Sequence, residues 1–116
     1  MKVFAFALLL ALLSSLAPSS SSIAAADTGS DYIYCILTDS IHSTEYFSGV
    51  FQGDFSLNVR YENAFWNYVH GNYSGVIGGA LCFFRKSAPE ARDEENAYKA
   101  RGRGIYNNLI DTGWSY

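Results

Sequence analysis

The chain has 116 residues and a net charge of −3, from 8 Lys and Arg against 11 Asp and Glu. So few cations give no basis for the clustered basic surface that nucleic acid or an anionic membrane rewards, and neither is expected as a partner. The length suits one domain built on one core.

The first 26 residues read as a secretory signal peptide. Lys2 supplies a positive start, residues 3–13 are an unbroken apolar run, and a Ser-rich stretch leads to Ala24, Ala25 and Ala26, with cleavage expected before Asp27. The apolar run is too short to cross a bilayer, and Pro18 and a run of serines follow it. No cysteine lies at the processing site, which argues against a lipid anchor. Residues 27–116 are then a single domain, secreted or periplasmic, without a membrane span. Two cysteines remain, Cys35 and Cys82, and an even number in an oxidising compartment is expected to pair as a disulfide.

After a polar leader, residues 32–38 (YIYCILT) are rich in β-branched and aromatic side chains and read as a strand. Tyr32, Tyr34 and Ile36 share one face, while Ile33, Cys35 and Leu37 share the other. Both faces are apolar, the pattern of a strand that is central or covered on both sides. A polar connection containing His42 leads to a second strand over 45–52, near enough for a hairpin, in which Gly49 suits a bulge. Asp54 or Ser56 then suits a cap. From Tyr61 the period changes: Tyr61, Ala64, Phe65, Tyr68 and Val69 form one apolar helix face, with Glu62, Asn63, Trp66, Asn67 and His70 turned elsewhere. Gly71 suits the end of that helix.

A third strand is expected over 76–85. Ser87-Ala88-Pro89-Glu90 matches a capping box and opens a helix to Arg101, whose apolar face of Ala91, Ala97 and Tyr98 is thin. Glu95 and Lys99 stand at the favourable i, i+4 order, and Gly102 or Gly104 provides a stop. Residues 105–110 read as a last strand, although Tyr106, Leu109 and Ile110 also suit a helical turn. The order is β-β-α-β-α-β. The simplest closure is an α+β two-layer sandwich, a four-stranded mixed sheet with both helices on one face, similar in plan to ferredoxin-like domains.

Few motifs point to chemistry. Asp-Thr-Gly occurs twice, starting at Asp27 and at Asp111, and aspartic proteases use this tripeptide so that two aspartates share a proton. Here no strand precedes the first copy and three residues follow the second, so a polar turn accounts for it better. His42, His70, Cys35 and Cys82 carry zinc-ligating atoms, but no two lie at the short spacing that structural zinc sites use. Neither a metal nor another cofactor is expected. A disulfide would also remove the nucleophile from any Cys-His pair. Gly71-Asn72-Tyr73-Ser74-Gly75 places its serine one position late for a nucleophile elbow. Glu90, Asp93, Glu94 and Glu95 read as a solvated helix face. Gly75, Gly78 and Gly79 lack the Lys of a phosphate loop, and Arg101-Gly102-Arg103-Gly104 reads as a helix end. Asn72-Tyr73-Ser74 is a glycosylation sequon wherever the host modifies secreted proteins.

Nine Tyr, eight Phe and two Trp are an aromatic excess, most of which is expected in the core. The periodicity leaves Trp66, Tyr73, Trp114 and Tyr116 outside it, as candidates for stacking on a sugar or anchoring a partner protein. The run CFFRKSAPEARDEE with IDTGW, preceded by YFSGVFQGD and ENAFWNYV, resembles a group of small secreted bacterial proteins with no assigned activity. Ser87-Ala88-Pro89-Glu90-Ala91 after a strand is also similar to helix starts in peptidoglycan-binding SPOR-type domains, without their tandem repeat. The likeness implies cell-wall glycan as a ligand. The leading expectation is a non-catalytic binding domain for a protein or cell-wall glycan. The alternatives are a small secreted hydrolase using His70 or His42 with a carboxylate, and a secreted inhibitor or immunity protein. A histidine bonded to a carboxylate inside a concave pocket would favour the enzyme.

Overall fold

The computed structural model describes residues 30–116, so the expected signal peptide and the first Asp-Thr-Gly lie outside the described residues. The sheet is organised around β1 (Asp31–Asp39). A tight connection turns it into β2 (Thr44–Phe47), followed by β3 (Phe51–Gly53). Both run antiparallel to β1, with Ile36 opposite Phe47 and Ile33 opposite Phe51. Residues 48–50 therefore face only Tyr34 and Cys35. One extra residue makes a bulge in what is otherwise a single strand, as Gly49 suggested. Ser48 closes the gap: its N–H donates to the Cys35 carbonyl and its Oγ accepts from the Cys35 N–H.

On the opposite edge of β1 lies β4 (Ala80–Arg85), also antiparallel, with Cys35 directly across from Cys82. The two cysteines form the expected disulfide, their Cα atoms 4.0 Å apart. The last strand, β5 (Asn108–Asp111), runs parallel to β2. The sheet is open and mixed, five short strands in four ladder positions. The outer edge of β4 is blunted by side chains, since Glu62 accepts from the Cys82 N–H and Arg85 donates to the Phe84 carbonyl. These contacts occupy backbone groups that would otherwise template another strand.

Asp54 caps a single 3-10 turn (Phe55–Leu57), which leads into α1 (Asn58–Asn72). That helix buries Tyr61, Phe65 and Val69 against Ile33, Cys35 and Leu37. The second helix, α2 (Ala88–Gly102), sets Ala91 against Tyr34, Ile36 and Phe47. The α+β class, the mixed sheet and the order of elements are those expected. The helices, however, divide between the two faces of the sheet instead of sharing one. The reason is in β1, whose Tyr32–Tyr34–Ile36 face is as apolar as its Ile33–Cys35–Leu37 face and needs cover of its own.

Two glycines allow close approach. Gly78 has φ +146°, and a Cβ there would sit 2.2 Å from the Thr38 carbonyl oxygen, so β4 begins at Ala80 and not at residue 76. Gly102 belongs to the last turn of α2, where a Cβ would come within 2.9 Å of Glu45 Oε1. It seats the helix end on the sheet. Gly71, expected as a stop, is inside α1.

The serine half of the capping box at Ser87 is formed, and the glutamate's return bond falls one residue earlier than expected. The Ser87 side chain accepts from the Glu90 N–H at 3.2 Å, and Glu90 accepts from the Lys86 N–H. Because α2 is held to the sheet by few apolar contacts, this cap matters more than usual. Ser87→Ala is expected to lower stability by about 1 kcal/mol, read from the urea midpoint at unchanged m-value.

Candidate functional site

A cavity of about 220 Å³ opens on the α2 face of the sheet, lined by Ile36, Thr38, Glu45, Gly79, Leu81, Phe83 and Tyr98. The strand period builds its floor. Ile36 and Thr38 project from β1 to this side, Glu45 from β2 is paired with Thr38 in register, and Leu81 and Phe83 come from β4. Tyr98 of α2 supplies the wall, its ring 5.5 Å from that of Phe83. The mouth lies at Leu81, which is 60% exposed, whereas Glu45 is only 7% exposed. Thr38 Oγ1 donates to Glu45 Oε2 at 3.0 Å.

Charges flank this cavity beneath α2. Tyr34 donates a short hydrogen bond to Glu94, which also accepts from the Arg85 guanidinium. Burial and then that bond to Glu94 push the Tyr34 phenol up. Burial would raise Glu94 as well, but the bonds from Tyr34 and Arg85 outweigh it and hold this carboxyl below its usual range. Glu95 is 5% exposed, and its Oε2 has no hydrogen-bond partner. Burial raises it to about 7; Lys99 opposes that and Asp111 adds to it. Lys99 pairs with Asp111 of β5 and lies over the Phe47 ring, so the expected Glu95–Lys99 pair on a solvated face is replaced by contacts across the sheet. Glu94 and Glu95 face inward because α2 meets the sheet through Ala91, Glu95, Tyr98 and Gly102, with Ala97 exposed.

The histidines are elsewhere. His42 Nδ1 lies 2.7 Å from Asp39 Oδ2, and the same carboxylate accepts from the backbone N–H groups of His42 and Ile77. Burial alone would raise Asp39, but the bonds from Ile77 and His42 hold it at about 2. The pair closes the β1–β2 turn and ties it to the segment before β4. It does not line the cavity; Thr44 Oγ1 donates to the His42 backbone carbonyl, and among the described residues no hydroxyl or thiol is bonded to the imidazole ring. His70 stacks on Trp66 at 3.8 Å and bonds the Trp66 carbonyl, and among the described residues no carboxylate pairs with it.

Of the four expected binding aromatics, Trp114 and Tyr116 meet, their ring centroids 6.4 Å apart, while Trp66 and Tyr73 each pack elsewhere. Trp66 donates from Nε1 to the Gly78 carbonyl, which pins it across the lead into β4. Tyr73 leans on Tyr46. Trp114 packs among Phe51, Phe65 and Tyr68 as part of the core beneath α1. Tyr116 is exposed and sits on Phe51 and Tyr61. All belong to the α1 side or its margin, opposite the cavity. The second Asp-Thr-Gly prolongs β5: Thr112 donates from both N–H and Oγ1 to the Phe47 carbonyl. Asn72 is exposed, with its side-chain amide donating to the Tyr68 carbonyl.

Among the described residues no three His, Cys, Asp or Glu are grouped to hold a metal ion, and no helix is long and apolar enough to cross a membrane. Thr38, Glu45, Leu81 and Phe83 are the site residues that sequence reasoning missed. The one available signal was alternation in β4, which puts Leu81 and Phe83 on the face away from Cys82. Comparison with protein-family models, with curated proteins and with solved structures found no match to the chain.

Proposed function

We propose that the chain is a non-catalytic extracytoplasmic binding domain that recognises a partner protein through the cavity on the α2 face. The observation that carries this reading is the cavity itself: apolar and aromatic walls around a buried carboxylate, open at an exposed leucine. Such a shape anchors a side chain from another surface. The disulfide supports an oxidising compartment, in keeping with export. The hydrolase alternative draws on the His42–Asp39 pair, but that pair does not line the cavity and, among the described residues, no hydroxyl or thiol is bonded to its imidazole. Cell-wall glycan is the weaker ligand, because a sugar brings several hydroxyls to walls that offer few polar partners.

A photo-crosslinking residue placed at Leu81 tests the reading, with the same group at exposed Phe55 on the α1 face as control. A discrete protein adduct from the cell envelope is expected at position 81 and not at 55. No adduct at 81, or equal adducts at both positions, sinks the proposal. Co-sedimentation of the protein with purified cell-wall sacculi, lost on Leu81→Asp, would give the site to glycan instead.

A further inference from the structure

We infer that the group entering this cavity is a lysine side chain of the partner, an ammonium on an apolar stem set against Glu45. This rests on the cavity being the binding site and adds the chemistry of its occupant.

The charge inventory comes first. Four ion pairs engage side-chain cations: His42 with Asp39, Arg85 with Glu94, Lys86 with Asp31 and Lys99 with Asp111. Arg101 lies over the Tyr98 ring, 4.5 Å from its centroid. Among the described residues no cation pairs with Glu45, although it is more than nine-tenths buried. Among the described residues, Thr38 is the one group hydrogen-bonded to its carboxylate. A largely buried carboxylate without a counter-ion gains from a cation brought to it.

The shape then selects among cations. Ile36, Leu81 and Phe83 form a wall suited to a chain of methylenes, along which lysine commonly lies. The rings of Phe83 and Tyr98 add attraction for a positive charge. Glu45 Oε2 accepts from Thr38 and Oε1 lies beside Gly102, so the carboxylate does not present an open edge to both arms of a guanidinium fork. A compact ammonium needs only one oxygen, which favours lysine over arginine. Lys, Arg and His are absent from the lining itself, and Arg101 stands over the Tyr98 ring that walls it.

Titration of the disulfide-bonded protein, followed by amide NMR, tests the inference. The probes are an end-blocked Gly-Lys-Gly peptide, the same peptide with Nε-acetyl-lysine, an arginine counterpart and n-butylammonium. The lysine peptide is expected to shift the amides of Ile36, Leu81 and Phe83. Acetylation and Glu45→Gln are each expected to weaken it by about tenfold or more, the loss of one charge-assisted contact. Since Leu81 is exposed, Leu81→Lys offers a second variant that keeps the fold and fills the mouth with its own ammonium; it should abolish the shifts. Equal binding of the acetylated peptide, tighter binding of the arginine peptide, or unchanged affinity in both variants overturns the inference. Butylammonium binding as tightly as the peptide would assign the site to a small amine and overturn the partner lysine. Absence of shifts with every probe overturns it too, while a crosslinked adduct at Leu81 would leave the binding-domain reading standing.

Discussion

Replacing Cys35 and Cys82 together by alanine is expected to remove about 4 kcal/mol of stability, the loop-closure entropy for residues 47 apart in sequence. Domains of this size hold roughly 5–15 kcal/mol in total, so the loss leaves a protein close to its unfolding limit. The position of the bond adds to the expectation. It joins β1 to β4 beneath α1, in the same buried cluster as Phe65 and Val69. Serine in place of each cysteine should cost still more, because two hydroxyls would enter that apolar cluster. Urea denaturation with and without dithiothreitol measures the effect: the native protein should fall to the level of the double-alanine variant on reduction. A loss under about 1 kcal/mol would mean that sheet pairing alone holds β1 against β4, and that the covalent link adds little.

The disulfide was legible because the expected export and an even cysteine count both point to it. Strand β1, the bulge at Gly49, the α1 stripe and the capping box at Ser87 were legible for a similar reason, since each is dictated by local chemistry. What failed was the meaning of two weak patterns taken together. The doubly apolar β1 already required a layer on each side, but the apolar face of α2 looked too thin to provide one. The helix does cover that face, through Glu94, Glu95, Tyr98 and Lys99; Glu94 is bonded to Tyr34 and Arg85 and Lys99 to Asp111, all from other elements, while Glu95 Oε2 has no partner. Hydrophobic periodicity cannot register contacts of that kind, because their partners lie far away in sequence. The cavity was illegible for the same reason. Thr38, Glu45, Leu81 and Phe83 look like ordinary strand residues until pairing register brings three strands together. The aromatic residues that did stand out, Trp66 and Trp114, serve mainly to close the α1 side.

Glu95 gives the second large expected effect, and its sign follows from where its proton is held. In the unfolded chain this carboxyl titrates near 4.5, whereas burial beneath α2 raises it to about 7. Between those values the folded protein binds the extra proton, so stability falls as pH rises through the window. The penalty is absent below about 4.5 and complete above about 7, and amounts to about 3 kcal/mol. Across pH 5 to 8 the other shifted groups are silent: Asp39, Asp54 and Glu94 are displaced downward, and Tyr34, Tyr46 and Arg85 upward, away from the window. Glu95→Gln should therefore remove most of the decline in urea stability between pH 5 and pH 8, whatever constant offset the amide introduces. The loss is also expected to be local. Ala91 and Gly102 are the other buried residues of α2, and Tyr98 follows Glu95 by one turn, so ionisation loosens the helix that walls the cavity. Amide exchange in α2 should accelerate from pH 5 to pH 8 beyond its intrinsic pH dependence, and far less so in Glu95→Gln. If both proteins show the same pH profile, water or Lys99 already compensates the carboxylate, and the helix is held by its packing alone.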